Sequence, residues 1–205
     1  MDDEELDAIT ERVLTAVGRN LLIYQYIEQQ LKSLAHLSEI TFDLNDPAAA
    51  HRKRQAELSR KTLGQVSRTW LSEILTTATS EEIWELEQMR QIDTTRPVAI
   101  VNFTISLESD DLASRQRNLE LVVAQRNALV HHFWIEFSFA TVADCQLTLD
   151  TLRAQRREAI AVSDDLDHAL TTIEHLPVAL RAWMAQHAAT ASEQKPMSPP
   201  AATEL

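Results

Sequence analysis

Glycine is almost missing from this chain of 205 residues: only Gly18 and Gly64 occur. Neither a dinucleotide-binding nor a triphosphate-binding glycine loop can be assembled from two isolated glycines, so those nucleotide folds are excluded. Cysteine is scarcer still. The single Cys145 rules out an internal disulfide and any zinc cluster built on several thiolates. Six prolines among long stretches of Leu, Ala, Glu, Gln and Arg favour helix over sheet, because unbranched side chains lose little rotamer freedom in a helix. No apolar run approaches the length of a membrane span. The acidic start "MDDEELDAIT" lacks the charged-then-apolar order of a signal peptide, so a soluble, cytoplasmic protein is expected.

Cations are in deficit as well, with 19 Lys and Arg against 31 Asp and Glu and a formal net charge of -12. Such a balance argues against a nucleic-acid partner, since phosphate contacts need positive charge. The deficit is uneven. Residues 51–68 hold six cations, Arg52, Lys53, Arg54, Arg60, Lys61 and Arg68, against Glu57 alone. This run reads either as a solvated helix face or as a track for RNA.

What the chain does have is helical periodicity. Leu6, Ile9, Val13, Val17, Leu21, Tyr24, Ile27, Leu31 and Leu34 recur at steps of three and four, which predicts one long helix over 3–38. Pro47 is placed to open a second helix over 48–77, with Leu58, Leu63, Val66, Trp70 and Ile74 inward. Thr79 and Glu82 have the spacing of a capping box, which predicts a short helix over 80–91. Around 97–107 the period changes to two: Val101, Phe103, Ile105 and Leu107 alternate with polar residues, as in a half-buried strand. Its partner is expected in "EITF" at 39–42 or in a second subunit. Ser109 starts a third helix to about 138, a fourth covers 141–171, and Pro177 opens a short last one to about 187. The tail 188–205, without aromatics and with three prolines, is expected to be disordered. The expected fold is all-α: one domain over 1–187, an antiparallel bundle of four long helices plus a short C-terminal helix, with a strand or hairpin inserted before the third.

The stretch "RNALVHHF" at 126–133 sets a cation, an amide and two histidines into an otherwise apolar helix end. Asn127 and His131 are four apart and share a face. Arg126 and His131 are about 140° apart on an ideal helix, at about 100° per residue. Arginine and histidine would also serve simply to neutralise a helix C-terminus. The functional reading is phosphodiester chemistry without metal. A guanidinium balances the charge that builds on phosphate in the transition state, and an imidazole takes a proton from a ribose 2'-hydroxyl or returns one to the leaving oxygen. An in-line displacement needs acid and base on opposite sides of phosphorus, and two copies of one motif across a twofold axis provide both. Asp164 and His168 also share a face, but a solvated helix end is the plainer reading, because spacing supplies no third ligand. No metal or other cofactor is expected.

"RNALVHHF" resembles the signature of the HEPN domain, in which an arginine, a polar residue and a histidine four to six residues on lie near the end of the third long helix. Arg126, Asn127 and His131 match that pattern, and His132 fits its longer spacing. The resemblance implies a helical homodimer with the motif at its interface. It further implies a metal-independent endoribonuclease acting as a toxin or in phage defence, with an antitoxin or regulatory protein as a further partner. Phe133 stands where some members carry a tyrosine modified by a nucleotidyltransferase antitoxin. Other members are scaffolds without nuclease activity. The candidate catalytic residues are thus Arg126, Asn127, His131 and His132, with Arg52, Lys53, Arg54, Arg60, Lys61 and Arg68 as candidate RNA contacts.

Overall fold

A computed structural model of the chain describes residues 2–43, 47–79, 81–83, 98–102 and 104–193. It is predominantly helical, and it divides into two compact units, 1–170 and 171–205. The first element, α1 (Asp2–Ser38), is the long helix its periodicity predicts. Ile9, Val13, Tyr24, Ile27, Leu31 and Leu34 are buried. At about 25 cal/mol per Å² of apolar surface removed from water, each such side chain stabilises the helix against its neighbours by about 1.5–3 kcal/mol. The stripe also contains two buried polar residues, Asn20 and Gln30, which matter for helix direction below.

The second helix is not the single element expected over 48–77. It is split into α2 (Pro47–Ser59) and α3 (Leu63–Thr69), followed by a π turn over Trp70–Ile74. Thr62 causes the restart. Its backbone N–H donates to Gln65 Oε1 at 2.9 Å, and this Thr-x-x-Gln pair satisfies a backbone donor that a new helix start would otherwise leave unpaired. Leu58, Leu63, Val66, Trp70 and Ile74 are nonetheless all buried, as the spacing predicts. The Thr79 and Glu82 box forms as well: Thr79 N–H donates to Glu82 Oε2 at 2.7 Å, and Glu82 N–H donates back to Thr79 Oγ1 at 3.3 Å. Residues 81–83 are helical, while 84–91 lie outside the described residues.

The strand expected near 97–107 is two short ones. β1 (Glu39–Asp43) pairs antiparallel with β3 (Val98–Asn102), Ile40 opposite Val101. The partner is therefore the 39–42 segment of the same chain. β2 (Leu75–Thr76) pairs parallel with β4 (Ile105–Ser106), a pairing of residues far apart in sequence that no local pattern announces. Phe103 lies outside the described residues.

Helix α4 (Ser109–Asn127) runs into a second π turn, Ala128–His132, and the short α5 (Phe133–Glu136). Asp110 and Asp111 sit in its first turn, where acids suit the positive end of the helix dipole. The last helix, α6, is Val142–Glu193. The expected break at Pro177 and short separate helix are absent, because Pro177 lies within α6. Proline removes one backbone bond and costs about 3 kcal/mol in a helix interior, a local penalty that a helix of this length outweighs. The residues 188–193 of the expected tail belong to α6, and 194–205 lie outside the described residues.

Helix directions differ from the simple alternation expected. Thr10 Oγ1 lies 3.7 Å from Cys145 Sγ, Asn20 Nδ2 donates to the Leu152 carbonyl at 2.9 Å, and Gln30 Nε2 donates to the Ser163 carbonyl at 3.0 Å. The partners advance together along both helices, so α1 and α6 are parallel. Gln125 meets Glu158 while Arg115 meets Asp165, so α4 and α6 are antiparallel. The physical reason is connection length. A short loop such as 137–141 forces the reversal between α4 and α6.

Candidate functional site

The motif straddles the end of α4. Arg126 is in its last turn, Asn127 is its final residue, and His131 and His132 end the π turn. That turn changes the geometry reckoned from an ideal helix. Its bonds join residue i to i+5, and this wider winding brings residues five apart, as Arg126 and His131 are, nearer to one face than an ideal α-helix does. Arg126, Asn127 and His131 accordingly line one groove of about 1150 Å³. His132 does not line it; its ring stands edge-on to that of His131, centroids 6.3 Å apart. Arg126 Nη1 donates to Asn127 Oδ1 at 3.1 Å, which holds the guanidinium beside the amide.

The facing wall is α3 with its π turn. Gly64 permits the close approach of the two walls: a Cβ built there would stand 3.3 Å from Val123 Cγ1. Arg68 enters the groove from this wall, its Nε donating to the Gly64 carbonyl at 3.1 Å. Ser67 and Ser72 add hydroxyls, although Ser72 Oγ already donates to the Arg68 carbonyl at 2.8 Å. Glu120 is the one carboxylate among the lining residues, and it accepts a 2.8 Å bond from Gln116. The groove thus collects two guanidiniums, two amides and an imidazole against one acid.

The basic run does not stay together. Of its six cations only Arg68 lines the groove. Arg54 is half-buried, donating to the Ala35 carbonyl at 3.1 Å and standing 3.7 Å from Glu73. Lys61 Nζ donates to Thr69 Oγ1 at 2.8 Å. These two brace α2 and α3, and Arg52, Lys53, Arg60 and Arg68 are exposed. The helix break at 60–62 divides the run between α2 and α3.

Beneath the motif lies a polar network that sequence reasoning missed. Tyr24 donates its O–H to Gln125 Oε1 at 3.2 Å, and Gln125 Nε2 donates to Glu158 Oε2. Tyr24 and Gln125 are buried, and the chain links α1, α4 and α6 directly below Arg126. Burial first, and the nearby Glu158 carboxylate second, push the Tyr24 hydroxyl far above the ordinary tyrosine value. A glutamine one residue before the motif is the only trace of this network in the sequence.

Beyond the motif the surface is apolar. Trp134 is 77% exposed and Ile135 82%. Phe133, Trp134, Phe137 and Phe139 form one cluster of rings with centroids 5.3–5.5 Å apart, Phe133 edge-on to Trp134 and the other pairs tilted. Trp70, in contrast, is core. Among the described residues no His, Cys, Asp and Glu side chains gather three together as metal ligands, and no helix is long and apolar enough to cross a membrane. No protein-family model, no curated protein and no solved structure matches this chain, so the likeness to HEPN domains rests on residues 126–132 and their place at the end of a long helix.

Proposed function

We propose that this protein is a metal-independent endoribonuclease that cleaves RNA by attack of the ribose 2'-hydroxyl, at a composite site formed by two copies of the chain, and that it acts as a toxin or in phage defence. The observation that carries the reading is the shared lining of one groove by Arg126, Asn127, His131 and Arg68. Arg126 and Arg68 would neutralise the scissile phosphate, and guanidiniums can do so with two parallel hydrogen bonds. Asn127 orients Arg126. His131 from one subunit removes the 2'-hydroxyl proton while His131 of the other protonates the leaving 5'-oxygen. His132, outside the groove, is assigned a supporting part at the interface.

The dimer is supported by the aromatic surface after the motif. Monomeric proteins rarely expose a contiguous patch of large apolar residues, and Trp134 and Ile135 would be covered by the same surface of a second copy. An antitoxin would then act by covering this groove or this patch.

A second reading is a non-catalytic helical dimer that binds RNA or a protein. Its protein-binding form is favoured by the use of Arg54 and Lys61 in internal contacts, which leaves fewer cations for a long RNA. Labelled RNA incubated in chelator with wild type and with His131→Ala separates the two. Cleavage to 2',3'-cyclic phosphate ends, lost in the variant, is the expected result. Absence of cleavage by wild type across varied RNA sequences refutes the nuclease.

A further inference from the structure

A second cleft lies between α1 and α6 and shares no lining residue with the motif groove. Its volume is about 350 Å³, and four arginines face it: Arg12 and Arg19 from α1, Arg153 and Arg156 from α6. Four guanidiniums around one cleft are unexpected in a chain with a net charge of -12. Arg153 is paired with Asp150 at 2.8 Å. Among the described residues Arg12, Arg19 and Arg156 make no ion pair, although acids outnumber bases elsewhere. The four are exposed, and cations lining one cleft repel one another, a repulsion that an anion between them removes.

The walls are held rigidly. Asn20 is buried at the floor and its amide donates to the Leu152 carbonyl, which fixes the spacing of the helices where the arginines project. Ala16, a small residue on the α1 wall, leaves the space open. The parallel course of α1 and α6 sets Arg19 close in level to Arg153, while Arg12 lies about 10 Å further along the axis at 1.5 Å per residue. A line of positive charge of that length matches a short chain of phosphates better than a single one. Glu11, at the Arg12 end, repels a polyanion that would run on past the cleft.

We propose that this cleft binds an oligophosphate, the chain of two or three phosphates carried by a nucleoside di- or triphosphate or present as free polyphosphate. Guanidinium forks pair with phosphate oxygens through two bonds at a time, and the four are placed to share the charge of one such chain. The site is independent of the nuclease reading, which concerns the other groove.

Titration calorimetry of the full chain in low salt, with inorganic tripolyphosphate, a nucleoside triphosphate and a twelve-nucleotide RNA bearing a 5'-hydroxyl, tests this. Saturable binding of tripolyphosphate or of the nucleoside triphosphate is expected. Arg19→Gln and Arg156→Gln should each weaken it by about tenfold, the size of a charge-assisted hydrogen bond, with circular dichroism unchanged. Arg157→Gln, exposed and outside the cleft, should leave it intact. Equal affinity for the two phosphate compounds identifies the free chain as sufficient, and tighter binding of the nucleotide shows that the base or sugar is also read. The proposal is overturned if neither phosphate compound binds, if only the RNA binds, or if Arg157→Gln weakens binding as much as the cleft variants do.

Discussion

Replacing Tyr24 by phenylalanine deletes one hydroxyl from the network beneath the motif and leaves the ring in place. Tyr24 is 2% exposed and Gln125 8%, so water cannot take the place of the lost donor. The deletion forfeits a hydrogen bond worth about 0.5–1.5 kcal/mol and strands Gln125 Oε1, at a further cost of about 1–3 kcal/mol. A loss of about 2 kcal/mol follows, equivalent to about 4–8 °C in Tm for a chain of this size. Calorimetry and urea unfolding measure it. Removing the acceptor as well, in Tyr24→Phe/Gln125→Met, should cost less than the two single changes together, because no acceptor is then stranded. The network also makes a prediction about pH. Burial and Glu158 raise the Tyr24 hydroxyl above its ordinary value, so the folded protein keeps this proton where the unfolded chain releases it. The stabilisation is complete below about pH 10, the unfolded value, and falls as pH rises further, at up to about 1.4 kcal/mol per pH unit. The gap between wild type and Tyr24→Phe should therefore narrow above pH 10. A variant within 0.5 kcal/mol of wild type at neutral pH, or a gap that widens in alkali, would refute this account of the network.

Other outcomes test the groove and the surface beside it. His131→Ala and Arg126→Ala should each lower RNA cleavage by about 10²–10⁴, while His132→Ala, outside the groove, should lower it by less than tenfold; initial rates on one RNA compare all three. Trp134→Ser should shift the sedimentation profile from dimer to monomer and, on the composite-site mechanism, abolish cleavage with it; activity retained by a monomer would exclude shared catalysis. Hydrogen bonds from the backbone and then the hydroxyl of Thr79 hold Glu82 below the usual carboxylate range. Its cap should thus persist at mildly acidic pH and fail only as pH falls through that lowered value, a course that the Glu82 carboxyl carbon shift reports by NMR and that Thr79→Ala should move upward.

The local chemistry of the chain was enough to find its helices and their inward faces. Ile9 through Leu34 on α1 and Leu58 through Ile74 on α2 and α3 needed only the period of the helix, because burial of a stripe is decided by spacing along one element. The cap at Thr79 was legible for the same local reason, whereas the strand pattern near 97–107 left its partner open between 39–42 and a second subunit until the pairing of β1 with β3 decided it. Thr62 and Gln65 were an equally good signal for the break at 60–62, but the apolar spacing that continues through it hid the restart. Tertiary structure decided what spacing cannot encode. The parallel course of α1 and α6 brought Arg12 and Arg19 to the same cleft as Arg153 and Arg156. Close packing of Gly64 on Val123 brought Arg68 to Arg126, and a π turn turned a separation of about 140° into a shared groove. Each of these depends on contacts between residues distant in sequence or on one extra residue in a turn, and neither leaves a periodic mark in the chain.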